Sequence, residues 1–199
     1  MMPFSLINTP ATFQAYINKA LSGLVDYFVV IYLNDILIYS KPGEDYYAHV
    51  RIVIERLRKH KLYAKLNKYF FNVEEVEFLG FIVGSIGVKP DPDRILTIEK
   101  WPELKSFHKV QVFLDFVNFY RRFIHRYSYE AIGLTNLLVG IENKRKTGPF
   151  TFTLKAKASF EKLKKAFTTA LFLIYFDSNK PIRIETDASI YIIARTVSQ

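Results

Sequence analysis

The sequence predicts an α+β fold in which antiparallel hairpins alternate with helices. Three observations carry this. β-rich runs flank a two-residue polar step at Asn34-Asp35, further short runs surround a glycine-containing turn near Gly84, and apolar residues recur near helical spacing over 50–62 and crowd 106–127. Half of the 199 residues are apolar, enough for one generous core or two small ones.

The elements follow in order. Residues 10–23 read as a helix, opened by Pro10 in its first turn and stopped at Gly23. Residues 27–39 read as a hairpin whose strands are joined by Asn34-Asp35, residue types that tolerate the positive φ of a tight turn. Val50, Val53, Ile54, Leu57 and Leu62 make an amphipathic helix that runs into an extended segment. Val76 to Val83, with Val88, gives a second hairpin turning at Gly84-Ser85 to Gly87. The two prolines of "KPDPDR" (89–94) call for a non-helical link. A long helix spans about 106–127, with apolar residues too numerous for one stripe, so it packs on two sides. "GPF" (148–150) marks a boundary, Phe160, Leu163, Ala166 and Phe167 make a helix seam, and 182–186 reads as a strand.

Charge narrows the partner. A formal net charge of +9 and a pI near 9.5 favour a polyanion, with nucleic acid the leading class. Seven cations, Arg51, Arg56, Arg58, Lys59, Lys61, Lys65 and Lys68, face one acid, Glu55. That run is either a nucleic-acid surface or a solvated helix face, and the sequence alone permits both. The chain has no cysteine, which removes disulfides and thiolate metal sites. No apolar run approaches the ~18 residues of a membrane span and no basic-then-apolar leader opens the chain. The expectation is a protein without a membrane partner, not secreted, cytoplasmic or nuclear.

Six blocks of residues carry a family resemblance. "MPFSLINTPATFQ" (2–14), "YLNDILIYS" (32–40), "VEFLGFIV" (76–83), "VKPDPDRILTIEKWP" (88–102), "VQVFLDFVNFYRRFI" (110–124) and "ETDAS" (185–189) occur in order along nearly the whole chain. Together they resemble the Pol polyprotein of long-terminal-repeat retrotransposons of the Ty3/gypsy type. The resemblance implies a partial reverse transcriptase palm over 1–88 with its primer-grip hairpin, thumb and connection helices over 89–145, and connection plus the first strand of an RNase H-like domain over 146–199. In the family's virus-like particle such a protein is cytoplasmic. The implied partners are an RNA or DNA template–primer and a dNTP, and the implied cofactor is Mg²⁺.

The family's chemistry is two-metal nucleotidyl transfer, for which carboxylates hold two divalent ions a few ångström apart. The resemblance places two adjacent aspartates at the hairpin tip and a third on an earlier strand. Here the first of the pair is Asn34, Asp35 is the second, and the upstream palm and fingers are expected to be missing because the chain starts at Met2's block. Asp187 matches the first RNase H metal ligand, with its partners expected beyond Gln199. Phe4 and Ser5 match the loop lining the nucleotide. Pro10, Phe13 and Gln14 match a helix start near the template, or serve simply as a helix N-terminus with a core aromatic. Phe78, Leu79 and Gly80 match the primer grip. Arg56, Lys59, Lys61, Lys65, Arg121 and Arg122 are candidates for backbone contact, the last two on the long helix beside Tyr120.

Departures from the family pattern share a direction. Glycine is replaced by Ser5, Asp115 and Arg195, aspartate by Asn34, alanine by Thr9, glutamate by Lys100 and cysteine by Tyr69, each reachable by one guanine-to-adenine change. Three readings result: an active RNA-directed DNA polymerase, a catalytically inactive fragment that keeps a basic nucleic-acid-binding surface, or a decayed copy with no selected role. The degenerate tip favours inactivity.

Overall fold

The computed structural model describes residues 8–63, 65–139, 149–169, 172–177, 179–188 and 193–198. Two compact units divide between Val73 and Glu74. Among the described residues no helix is long and apolar enough to cross a membrane.

The first unit begins with α1 (Thr9–Ala20), with Pro10 in its first turn as expected. Its buried Ile17, with Leu21 and Leu24 just beyond its end, packs on the hairpin of β1 (Val29–Tyr32) and β2 (Asp35–Ile38). Alternation sets the hairpin's faces: Val29 and Ile31 turn inward with Ile36 and Ile38, whereas Val30 and Tyr32 face out. The hairpin exists where the sequence placed it, but its turn is shifted by one residue. Tyr32 pairs with Asp35, so the turn is Leu33-Asn34 and Asp35 opens β2. Leu33, not Asn34 or Asp35, takes the left-handed backbone with φ 50°.

Helix α2 (Tyr46–Lys59) is capped by Asp45, whose carboxylate accepts from the Ala48 N–H at 3.1 Å. Val50 and Val53 are buried and Leu57 and Leu62 half-buried. Ile54, at the edge of the expected stripe, stands 49% exposed, whereas Val50, Val53 and Leu57 turn to the core. Arg56, Arg58 and Lys59 occupy the last turn, where cations complement the carbonyl end of the helix.

The second unit joins a sheet to a helix bundle. Strands β3 (Glu75–Phe78), β4 (Phe81–Gly84), β5 (Gly87–Pro90) and β6 (Leu173–Ile174) pair antiparallel in that order. The predicted turn between Gly84 and Gly87 is present. However, Val76 to Val83 is itself a hairpin, folded at Leu79-Gly80, where both residues have positive φ. The expected non-helical link also shortens: α3 (Pro92–Glu99) starts within it, since a proline in the first turn loses no hydrogen bond and Asp91 caps the Asp93 N–H at 3.0 Å.

The long helix predicted over 106–127 is three pieces. Helix α4 (Phe107–Phe119) ends at Tyr120, a short 3₁₀ turn covers Arg121–Phe123, and α5 (Tyr127–Leu138) follows a left-handed Arg126. The break lets Tyr120, Phe123 and Ile124 enter one core together. With α6 (Leu154–Thr168) and α3, these helices enclose Phe113, Val117, Leu134, Phe160, Leu163 and Phe167. The strand expected over 182–186 is β7 (Arg183–Ala188), which begins one residue later and runs two further, and it pairs with an unanticipated last strand, β8 (Ile193–Ser198).

Helices α5 and α6 meet closely at Gly133, where an added Cβ would lie 2.7 Å from the Lys155 carbonyl oxygen. Gly133→Val is expected to destabilise this unit by about 2–3 kcal/mol in urea denaturation, because the blocking atom is backbone and cannot rotate away. A loss below about 0.5 kcal/mol would show that the helices are further apart.

Candidate functional site

The β1–β2 tip is a two-residue turn whose second position is Asn34. Asn34 and Asp35 are both exposed. A left-handed leucine is unfavourable, and something must hold it. That group is Gln14 of α1: its side-chain oxygen accepts from the Leu33 N–H, while its amide nitrogen donates to Asn18 Oδ1 at 3.0 Å. Both ends of the amide are thereby used. Gln14 thus acts on the turn, and Phe13 packs half-buried against the core under the hairpin. Pro10 is exposed at the helix start.

The tip's donor set does not fit a magnesium ion by itself. It offers one carboxylate and one uncharged amide oxygen, and Mg²⁺ gives up water reluctantly without anionic ligands. Among the described residues no group of three His, Cys, Asp or Glu lies close enough to hold a metal.

The Leu79-Gly80 turn is fixed from the helical side of its unit. Tyr120 Oη donates to the Gly80 carbonyl at 3.0 Å and the Asp91 N–H donates to the same oxygen at 3.3 Å. A Cβ on Gly80 would sit 2.9 Å from the Tyr120 hydroxyl oxygen, and its φ of +77° already favours glycine. Beside it Phe81 stacks on Phe119 and Phe123 at 5.1 and 5.8 Å. Phe78 and Leu79 are half-buried.

Burial raises the Tyr120 hydroxyl above its ordinary value of 10.0; the Arg94 charge opposes this and Asp91 and Glu77 add to it. Above pH about 10 the unfolded chain therefore loses this proton before the folded chain does, so stability falls as pH rises through that range. Tyr120→Phe is expected to cost about 1 kcal/mol at neutral pH through the lost hydrogen bond. It should also flatten the alkaline decline. Urea midpoints measured at neutral pH and above pH 10 check both effects, and an equal alkaline decline in both proteins would contradict them.

The cations of α2 and the segment after it are all exposed, including Arg56, Lys59, Lys61 and Lys65. None of the ion pairs among the described residues draws on them. Arg121 and Arg122 sit on the 3₁₀ turn rather than on a helix and, with Arg126 and Ser128, line a shallow concavity of about 530 Å³. Asp187 lies in β7 opposite Ala194. Phe4 and Ser5 lie outside the described residues.

Residues 1–83 match the reverse transcriptase (RNA-dependent DNA polymerase) family, and residues 152–199 match the RNase H-like domain found in reverse transcriptase. The chain is 33% identical to the retrovirus-related Pol polyprotein from transposon opus of Drosophila melanogaster, over 100% of its own length and 20% of the relative's. The chain belongs to the LTR-retrotransposon Pol polyproteins. The gypsy Pol polyprotein of the same fly is 30% identical across 100% of this chain and 20% of its own length, consistent with the Ty3/gypsy type. A Tf2-3 polyprotein of Schizosaccharomyces pombe is 31% identical, covering 100% of this chain and 14% of that protein. The chain therefore spans a fifth or less of these curated relatives. Among solved structures, a foamy viral protease-reverse transcriptase in complex with double-stranded DNA matches 94% of this chain and 32% of its own, with a TM-score of 0.79 at 21% identity. A second, in complex with an RNA/DNA hybrid, matches with a TM-score of 0.76 at 21% identity, over 94% of this chain and 25% of its own. These likenesses establish the fold: the α+β class and the partial reverse transcriptase architecture are as the sequence predicted.

Two contacts escaped the sequence. Gln14 on the Leu33 turn and Tyr120 on the Gly80 turn join residues 19 and 40 positions apart, and no local pattern marks either.

Proposed function

We propose that this stretch of Pol supplies the palm tip, primer grip and thumb of a reverse transcriptase, that it holds an RNA or DNA template–primer on its basic surface, and that it does not polymerise with Asn34 in place. The observation that carries the reading is the tip itself. A hairpin turn held in a costly backbone by Gln14 is built to present its side chains at fixed positions, yet one of the two positions that hold aspartates in the family carries no charge here. The dNTP and Mg²⁺ of the family reaction belong to this reading only as family properties. The shared direction of Asn34 and Asp115 supports decay of a once-active copy.

Nucleic-acid binding rests on the exposed, unpaired cations of the α2 region. If about four phosphates are neutralised, the logarithm of duplex affinity should fall with the logarithm of salt at a slope of roughly −3 to −4. Replacing Arg56, Lys59 and Lys61 together with glutamine should bring that slope toward about −1. Fluorescence anisotropy across a salt series measures it. An unchanged slope would mean that the charge on α2 is only a solvated face.

A further inference from the structure

The segment after α2 carries more than charge. No acidic residue stands between Glu55 and Glu74, and Tyr63, Tyr69, Phe70 and Phe71 interleave with Lys61, Lys65 and Lys68. These aromatics are not core. Tyr63 is 92% exposed and Phe70 72%, and Tyr69 and Phe71, exposed as well, meet edge to face at 5.6 Å. The far end of this run comes back to the first turn of α2, because the Asn72 N–H donates to the Tyr46 hydroxyl at 3.3 Å. The aromatic run therefore ends beside the first turn of the basic helix, within one unit.

We infer that Tyr63 and the Tyr69–Phe71 run form a stacking platform for the bases of an unpaired nucleic-acid strand, whose phosphates are met by the neighbouring lysines. This rests on the basic-surface reading above and adds a strand preference to it. Duplex bases are already stacked and offer such rings nothing, whereas an unpaired base gains a π-face partner whatever its identity. A protein partner fits less well. Covering this face with protein would bury lysines for which the segment supplies no carboxylate, and unpaired buried charge is costly. A polyanion with flat apolar faces meets both requirements.

The test uses the full chain and two labelled probes, a fifteen-nucleotide oligothymidylate and a duplex of equal length, in anisotropy titrations at fixed salt. Tyr63→Ala with Phe70→Ala should weaken single-strand binding by roughly five- to fifty-fold and leave duplex binding within about twofold, since stacking contributes per base and both residues are too exposed to support the core. Tyr63→Leu with Phe70→Leu keeps apolar area and should lose the quenching of a 2-aminopurine placed in the single strand. Lys65→Gln with Lys68→Gln should weaken both probes. Equal weakening of both probes by the alanine pair, or no weakening of the single strand, overturns the platform while leaving the basic surface standing. Failure of the unaltered chain to bind either probe overturns both.

Discussion

Replacing Phe113 with alanine is expected to destabilise the second unit by about 3–5 kcal/mol, the larger of two stability effects that α4 should show. Phe113 is fully buried and its ring meets Trp101 at 5.4 Å and Phe160 at 4.7 Å. Its removal leaves a cavity between Trp101 and Phe160, both held by the same buried cluster, so neither can close it without moving its neighbours. Six residues on, Phe119 is 58% exposed and stacks mainly on Phe81. Phe119→Ala should therefore cost under about 1.5 kcal/mol. Urea denaturation of both variants reads which side of α4 faces the core. Similar losses would mean that the helix is rotated from the orientation described.

The sequence displayed what depends on local pattern. Two β-rich runs around a polar step announced the β1–β2 hairpin, and the spacing of Val50, Val53, Ile54, Leu57 and Leu62 announced α2. Where distant contacts decided the outcome, local reading failed by small, explicable amounts. The hairpin turn moved by one residue because Leu33 accepts a backbone that propensity assigns to asparagine or aspartate, and Gln14 from another helix offsets the cost. The break after Phe119 is invisible to periodicity, since the apolar run continues, and burial of Tyr120, Phe123 and Ile124 in one cluster imposes it. Pro92 reads as a breaker by composition and acts as a helix start by position. The candidate tip was legible because its residues are contiguous. The support of both turns was not, because Gln14 and Tyr120 lie far along the chain from the turns they fix.

The central claim is that Asn34 disables the tip, and restoring charge there should have the largest effect of all. Asn34 and aspartate have nearly the same size and shape, so Asn34→Asp changes charge with little else at an exposed turn position. Removing a single well-placed electrostatic contact from an active site commonly costs about a hundred- to a thousand-fold in rate, and each factor of ten corresponds to about 1.4 kcal/mol of barrier. A full negative charge lost beside Asp35 should cost at least that. The direct measurement places residues 1–199 in the corresponding position of a polymerising reverse transcriptase of this family and compares single-turnover primer extension with asparagine and with aspartate at position 34. Equal template–primer affinity in the two chimeras confirms that only the chemical step is being compared. The expected result is extension at least about a thousandfold faster with aspartate. Extension by the Asn34 chimera within about tenfold of the aspartate form would contradict the claim.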